Sequence, residues 1–309
     1  MNGRRWPVQL ASVQLGHPVM TAAGTAGHGA ELASFFDVGQ LGAVVVKSLA
    51  AQPWAGNPAP RLHPTPAGML NSVGLQGPGV AGWLRHELPA LRRAGATVVA
   101  SIWGRTVEEF SAAAAALAEA GPEVVAVEVN VSCPNLEDRN RIFAHDPDLT
   151  EAVLAATAGC GRPRWAKLSP NTDRLVEVAA AAARGGAEAI TLINTVVGMS
   201  IDVETRRPHL GASRGGLSGR AVHAVAVRAV YDVHEALPDL VLIGVGGVAC
   251  GTDAVELMLA GASAVQVGTA TFADPRAPYR VARQLDHWFI EHGVIRAAEL
   301  VGAAHRRQV

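Results

Sequence analysis

The chain has 309 residues and a formal net charge of −1; 49% of its residues are apolar and 17% are charged. This length suits one large α/β domain or two smaller ones, with a well-filled core. Positive and negative charges are balanced, and the sequence contains no runs of basic residues. Nucleic acid and anionic membranes are therefore poor candidates for the main partner. The sequence also contains no segment long and apolar enough to span a membrane.

The three cysteines, Cys133, Cys160 and Cys250, lie far apart in the chain. Their spacing provides neither a disulfide framework nor a CxxC site for a metal ion or an iron–sulfur cluster. An Arg-Arg pair near the start is followed by a segment that Gln, His, Gly and Pro interrupt, which argues against an export signal. A reducing, cytoplasmic location is therefore predicted.

Short β-rich runs alternate with Ala-rich amphipathic segments along the chain, which is typical of a parallel sheet covered by helices on both faces. Eight such units without a composition break predict a single closed (β/α)8 TIM barrel over residues 1–309, with an open doubly wound sheet as the alternative. The predicted strands are PVMTAAG, GAVVVKS, ATVVASI, VVAVEVNVS, RWAKLSP, AITLINT, LVLIGVGG and ASAVQVGTA. A long irregular stretch, residues 50–79, follows the second strand, and loops of this length are usually functional.

Lysine is almost absent from the chain, which has 24 arginines but only Lys47 and Lys167. Both lysines end predicted strands, either by chance or because each position needs a compact ammonium that a planar guanidinium cannot replace. Four asparagines at strand ends or in the long stretch are candidate site residues. They are Asn71, Asn130, Asn135 and Asn194.

The segment EVNVSCPN, residues 128–135, places two of these amides and Cys133 where a predicted strand ends. In a barrel the carboxyl ends of the strands form the catalytic face, so the lysines, amides and thiol are expected at one mouth. Such groups can hold a planar, anionic, carbonyl-rich small molecule, and the thiol could act as a nucleophile or a general base. The alternative is that these polar groups are structural and satisfied within the fold.

Glycine-rich segments follow the last two predicted strands and precede helices, in IGVGGVACGTDA and QVGTATFADP, and GGLSG precedes another helix. Backbone amides near helix N-termini after the final strands of a barrel bind phosphate. The sequence therefore predicts one phosphate group, carried either by a cofactor such as FMN or by a phosphorylated substrate.

Seven motifs, in order along the chain, resemble the class 1 dihydroorotate dehydrogenases. They are MLNSVGLQGPG, EVNVSCPN, AKLSPN, INTVVGMSIDVETRRPHL, GGLSG, IGVGGV and QVGTATFADP. The resemblance extends from residue 17 to about residue 275, and NSVGLQGPG and FADP are most similar to the 1B catalytic subunit. It implies a TIM barrel that uses FMN to oxidise dihydroorotate to orotate in de novo pyrimidine (UMP) biosynthesis.

The resemblance also implies a role for each matched residue, with Cys133 as the base that removes a proton from C5 of dihydroorotate. The residues implied to hold the substrate are Lys47, Asn71, Ser72, Val73, Gly74, Leu75, Asn130, Asn135, Asn194 and Thr195. Those implied to contact FMN are Ala23, Lys47, Ser48, Ser101, Asn130, Lys167 and Ile193, with Gly219, Gly246, Gly247, Gly268 and Thr269 at its phosphate. No metal site is expected.

Class 1B enzymes pass electrons from one FMN per chain to a second subunit that carries FAD and a 2Fe–2S cluster, and then to NAD. Since this chain has no iron–sulfur cysteines and no nicotinamide fingerprint, the resemblance implies an electron-transfer partner. The expected assembly is a homodimeric catalytic core within a heterotetramer.

Three segments differ from the family pattern. Ser101 stands where the family usually has Asn, LEDRNRIFAHDP (residues 136–147) replaces a glycine-containing loop, and GTAGHG replaces an aromatic-rich segment. These differences leave open another pyrimidine-like substrate or another electron acceptor such as fumarate. A phosphate-binding barrel without redox chemistry, such as an isomerase or aldolase, is the remaining alternative.

Overall fold

All eight predicted strands are present in a computed structural model of the chain, which describes residues 6–132, 134–135 and 141–306. The strands are β1 (Val19–Thr21), β2 (Val44–Val45), β3 (Val98–Ile102), β4 (Val124–Asn130), β5 (Arg164–Lys167), β6 (Ala189–Leu192), β7 (Val241–Val245) and β8 (Ala262–Val267). They are nearly all buried on both faces, as expected for continuous apolar runs in a parallel sheet.

The strands follow one another around the sheet in the order β1-β8-β7-β6-β5-β4-β3-β2. The gap between β1 and β2 is bridged by backbone hydrogen bonds: the Thr21 amide donates to the Ala43 carbonyl at 3.2 Å, and the Gly42 amide donates to the Val19 carbonyl at 2.8 Å. The sheet is therefore a closed parallel barrel, which confirms the predicted TIM barrel and excludes the open sheet.

Helices cover the outside of the barrel. The described α-helices are α1 (Gly79–His86), α2 (Leu88–Arg93), α3 (Val107–Ala116), α4 (Pro147–Ala156), α5 (Leu175–Arg184), α6 (His223–Ala236), α7 (Gly251–Ala260), α8 (Ala270–Ala273) and α9 (Ala277–Glu291). Thr106 caps α3 by accepting a hydrogen bond from the Glu109 amide, and Asp146 caps α4 just before Pro147. None of the described helices is long and apolar enough to cross a bilayer.

The stretch 50–79 is not irregular throughout, so that part of the sequence interpretation is wrong. Leu62–Thr65 and Gly68–Asn71 form a hairpin, which pairs through Gly215–Ser218 with Val196–Gly198. This four-stranded antiparallel sheet, the cap sheet, was missed because LHPT and GMLN contain residues that disfavour strands. Its pairing partner lies about 145 residues further along the chain, where no local pattern reveals it.

Candidate functional site

A cavity of about 750 Å³ lies at the carboxyl ends of the barrel strands, beside the cap sheet. Its volume falls within the usual range for small-molecule sites. Most of the predicted site residues line it: Ala23, Lys47, Ser48, Asn71, Val73, Gly74, Leu75, Asn130, Lys167, Ile193, Asn194, Thr195, Gly219, Gly246, Gly247, Gly268 and Thr269. The expected convergence on one mouth is therefore observed for these residues.

Four of the predicted site residues either do not line the cavity or are not fully described by the structure. Ser72 is nearly buried, and its backbone amide donates to the Arg61 carbonyl at 2.8 Å. Ser101 is fully buried, and its hydroxyl lies 2.8 Å from the hydroxyl of Ser48, which does line the cavity. Cys133 lies outside the described residues, and only the backbone of Asn135 is described, paired with Arg141.

The amides at the mouth form a connected network centred on Asn130, the last residue of β4. The Asn130 Nδ2 donates to Ser48 Oγ at 3.3 Å, and its Oδ1 accepts from Asn194 Nδ2 at 3.2 Å. The Ser132 backbone amide also donates to this Oδ1, at 3.3 Å, and the Thr195 amide donates to Asn194 Oδ1 at 2.8 Å. The protein itself thus fixes the direction in which these amides point, which is how a binding site is pre-organised.

The two lysines provide cations that are free to meet a ligand. Neither side-chain amine has a hydrogen bond or an ion pair with another described residue. Burial lowers the pKa of Lys167, and the charge of Glu128 raises it. Burial and the neighbouring charge of Arg61 both lower the pKa of Lys47. A largely buried ammonium that makes no direct ion pair binds an anion more strongly than an exposed one, because water competes less.

The segment from Asn71 to Leu75 is held in place from outside the cavity, by contacts that the sequence did not reveal. The Trp54 indole Nε1 donates to the Gly74 carbonyl at 3.0 Å, and the Trp54 ring lies 4.5 Å below the Arg105 guanidinium. Arg105 is itself paired with Glu109 on α3. Since Gly74 and Leu75 both adopt positive φ angles, this support stabilises a backbone conformation that is costly for Leu75.

Glycines line the part of the cavity that the sequence assigned to a phosphate. Gly219, Gly246 and Gly247 have φ angles of 94°, 139° and 70°. A Cβ atom on Gly219 would lie 2.6 Å from the Gly68 Cα, and one on Gly247 would lie 2.6 Å from the His223 Cβ. Only glycine is compatible with both the backbone angles and the space.

Charged side chains that the sequence interpretation did not assign also line the cavity. Arg220 and Arg280 are paired with Asp253 and Asp274, respectively. Glu128 lines the cavity with no exposed surface, although the sequence analysis assigns it no role.

Barrels that bind a small phosphate-bearing ligand typically do so at this place, with glycine-rich segments at the carboxyl ends of the last strands. Comparison with known proteins identifies the family to which the chain belongs. The family model of dihydroorotate dehydrogenase matches residues 7–289. The chain therefore belongs to the dihydroorotate dehydrogenase family, which confirms the resemblance found in the motifs.

Individual relatives are similar over almost the full length of the chain. The dihydroorotate dehydrogenase B (NAD(+)) catalytic subunit of Desulforudis audaxviator is 48% identical over 300 residues, which is 97% of each chain. The proteins of the same name from Geobacter sp. (strain M21) and Pelobacter propionicus are 44% and 45% identical over 297 residues, covering 96% of this chain and 97% of each relative.

Proposed function

We propose that this protein is the catalytic subunit of an NAD-linked dihydroorotate dehydrogenase, which oxidises dihydroorotate to orotate in pyrimidine biosynthesis. The observation that carries the proposal is the convergence of Lys47, Asn71, Asn130 and Asn194 on one cavity. These are the residue types that a planar carboxylate with ring carbonyls and ring N–H groups requires. The names of the similar relatives support the same activity.

The donor set of the cavity fits FMN. The glycine backbone around Gly219, Gly246 and Gly247 would hold its phosphate, because these residues line the cavity at the ends of the last strands, where backbone N–H groups can bind an anion. Ala23, Ser48, Asn130, Lys167 and Ile193 line the cavity and would contact the rest of the cofactor, joined by Gly268 and Thr269. Ser101 would act through its contact with Ser48. When bound, FMN supplies an acceptor for the hydride that leaves C6 of the substrate.

The protein's own contribution is to bind and orient the substrate. The Lys47 ammonium would pair with the carboxylate of dihydroorotate, and the amides of Asn71, Asn130 and Asn194 would hold the ring. Because hydrogen bonds within the protein already orient Asn130 and Asn194, little side-chain freedom is lost when the substrate binds. Ser72, Val73, Gly74, Leu75, Asn135 and Thr195 complete the proposed substrate contacts.

Cys133 is the proposed base. The proton at C5 of dihydroorotate lies next to a carbonyl, which makes it acidic enough for a thiolate to remove. The residue just before Cys133 is well anchored: the Ser132 amide donates to Asn130 Oδ1 at 3.3 Å, and its hydroxyl donates to the Lys167 carbonyl at 3.3 Å. These contacts would tie the position of the base to the substrate-binding amide and the cofactor-binding lysine.

The proposed route for the electrons leads from this chain to a partner subunit with FAD and a 2Fe–2S cluster, and then to NAD, in a cytoplasmic heterotetramer built on a homodimeric core. Within the described residues no group of three or more His, Cys, Asp or Glu side chains could hold a metal ion. The partner would carry the iron–sulfur cluster and reduce NAD. The term "catalytic subunit" in the names of the relatives supports such a complex.

The test is anaerobic stopped-flow reduction of the bound flavin by dihydroorotate, measured as a function of pH. We expect Cys133→Ala to lower the rate about 10²–10⁴-fold while orotate still binds. Cys133→Ser should keep a trace of activity, because a hydroxyl is a much weaker base. Cys250→Ser is the matched control, since Cys250 does not line the cavity. A Cys133→Ala protein that is reduced at the wild-type rate would refute the proposed role.

A further inference from the structure

Glu128 is a fully buried carboxylate in the barrel interior, and the proposed mechanism does not use it. It lies two residues before Asn130 on β4, so both side chains point to the same face of the strand, toward the cavity that both line. Burying an ionised carboxylate is costly unless hydrogen bonds and an opposite charge compensate it. Its presence at the floor of a ligand cavity therefore needs a physical reason.

The hydrogen bonds of Glu128 satisfy only one of its two oxygens. The Thr191 hydroxyl on β6 and the Gln266 side-chain amide on β8 both donate to Oε2, at 3.0 Å and 2.8 Å. Both are donors, as an ionised carboxylate requires. The other oxygen, Oε1, is buried and has no hydrogen-bond partner among the described residues. Hydrogen bonding alone therefore leaves part of the negative charge uncompensated.

Lys167 provides a positive charge that faces the same cavity. It lies on the neighbouring strand β5, where Trp165 pairs with Glu128 and Lys167 pairs with Asn130. Lys167 is thus one side-chain layer closer to the mouth, and only 5% of its surface is exposed. The other acid that lines the cavity, Asp274, is already paired with Arg280.

We infer that Glu128 is the counter-ion of Lys167 and keeps the Lys167 side chain in the ammonium form beneath the ligand. Glu128 is thus a positioning residue, because its effect on the ligand passes through the lysine. The two electrostatic influences on Lys167 agree with this geometry: burial lowers its pKa overall, and the charge of Glu128 opposes this shift. The other charged group near this end of the cavity, Lys47, is a cation and cannot replace the carboxylate.

The inference rests on the proposed function only for the identity of the ligand. A neutral amine could still donate a hydrogen bond, but it could not stabilise negative charge that develops on an electron-accepting ring system. By holding the proton on Lys167, a buried carboxylate keeps this charge constant over the working pH range. The same carboxylate also explains why the barrel interior contains Thr191 and Gln266 instead of apolar residues.

The small number of lysines makes a direct test possible. In protein labelled with ¹³C at the lysine ε carbon, NMR should detect one signal from Lys47 and one from Lys167, which Lys47→Met and Lys167→Met would assign. The signals are followed between about pH 6 and pH 10, where amines titrate, with FMN bound and after its removal. We expect Lys167 of the wild-type protein to remain an ammonium at neutral pH. A neutral Lys167 amine there would overturn the inference, whatever the variants do.

Glu128→Gln removes the charge and keeps the size of the side chain. We expect the titration midpoint of Lys167 to fall by about one pH unit or more, as for the loss of a nearby opposite charge, while that of Lys47 stays in place. An unchanged Lys167 midpoint would overturn the inference.

Thr191→Val is the matched control, because it removes one hydrogen bond to Glu128 but leaves the carboxylate. In this variant the titration midpoint of Lys167 should stay close to the wild-type value. A fall as large as that in Glu128→Gln would mean that packing, not charge, is responsible.

If Glu128→Gln does not fold, Glu128→Asp gives the complementary result, since a shorter carboxylate should preserve the ammonium. Failure of the proposed function is distinguishable, because a protein that binds no FMN still reports the charge of Lys167.

Discussion

At the scale of single residues, Lys167 combines three properties that rarely occur together: deep burial, a strand-end position at a ligand cavity, and an amine with no hydrogen bond to another described residue. The surrounding chain uses arginine for its positive charges, 24 times in all. A guanidinium is wider than an ammonium and needs several acceptors in its own plane. Lys167 shares the cavity with the buried Glu128 carboxylate.

We therefore expect Lys167→Arg to be harmful although it conserves charge. The larger group must displace packed neighbours, and overpacking of a buried site typically costs about 1–3 kcal/mol. FMN retention should fall, and flavin reduction should slow in the protein that retains it. The measurements are the flavin-to-protein ratio after purification and the stopped-flow reduction rate, with exposed Arg228→Lys as the control. Wild-type occupancy and rate together would mean that the choice of lysine at this position is accidental.

At the scale of elements, the barrel supplies rigid positions and the cap sheet closes over them. The Asn71 side chain donates to the Gly216 carbonyl at 3.3 Å, which links the end of one cap strand to the next. The following turn is held by Trp54, and Arg61 stabilises the neighbouring segment, because its guanidinium donates to the carbonyls of Asn57 and Ala55 at 2.5 Å and 3.1 Å. The proposed substrate segment is thus fixed by side chains that do not themselves line the cavity.

Trp54→Phe should weaken substrate binding without slowing chemistry. The substitution removes the hydrogen bond to the Gly74 carbonyl but keeps an aromatic ring below Arg105. Since one such bond contributes about 1 kcal/mol, KM for dihydroorotate and Kd for orotate should rise about fivefold. The reduction rate at saturating substrate should stay close to that of the wild type. The control is Trp288→Phe on α9, and equal binding in both variants would exclude the proposed support.

At the scale of the whole molecule, three histidines at separate places share one electrostatic property. His28 lies near the mouth, His145 lies just before α4, and His234 lies near the end of α6. Burial lowers the pKa of each below its usual 6.5. The charge of Lys47 lowers the pKa of His28 further, and that of His305 does so for His234. The folded protein therefore takes up protons at these sites less readily than the unfolded chain.

This property predicts a loss of stability in mild acid. A histidine with a lowered folded pKa contributes stability above its unfolded pKa, and this contribution disappears as the pH falls through 6.5 toward the folded value. The melting temperature should thus decrease between about pH 7 and pH 5, where few carboxylates titrate. His234→Gln should flatten this dependence, whereas His287→Gln, at a largely exposed position on α9, should not. A pH-independent melting temperature would contradict the prediction.

The barrel could be predicted from the sequence because a buried parallel strand carries its own signal, as the continuous apolar run of β3 does. The lysines and asparagines of the site could be predicted because their type and strand-end position are unusual. The cap sheet could not, since Gly68–Asn71 pairs with a strand about 145 residues away. A separation of 138 residues likewise concealed the link between Glu128 and Gln266. The support that Trp54 gives to Gly74 spans only 20 residues, but no local pattern reveals it.

The burial of both lysines in one cavity has a consequence for covalent labelling. On most proteins, acylating reagents and amine-reactive surfaces attach at many scattered sites. In this chain every side-chain amine lines the ligand cavity, and Lys47 is the more exposed of the two. Apart from the α-amino group, a general amine reagent would therefore behave as a site-directed label, and an occupied cavity would protect the protein from it.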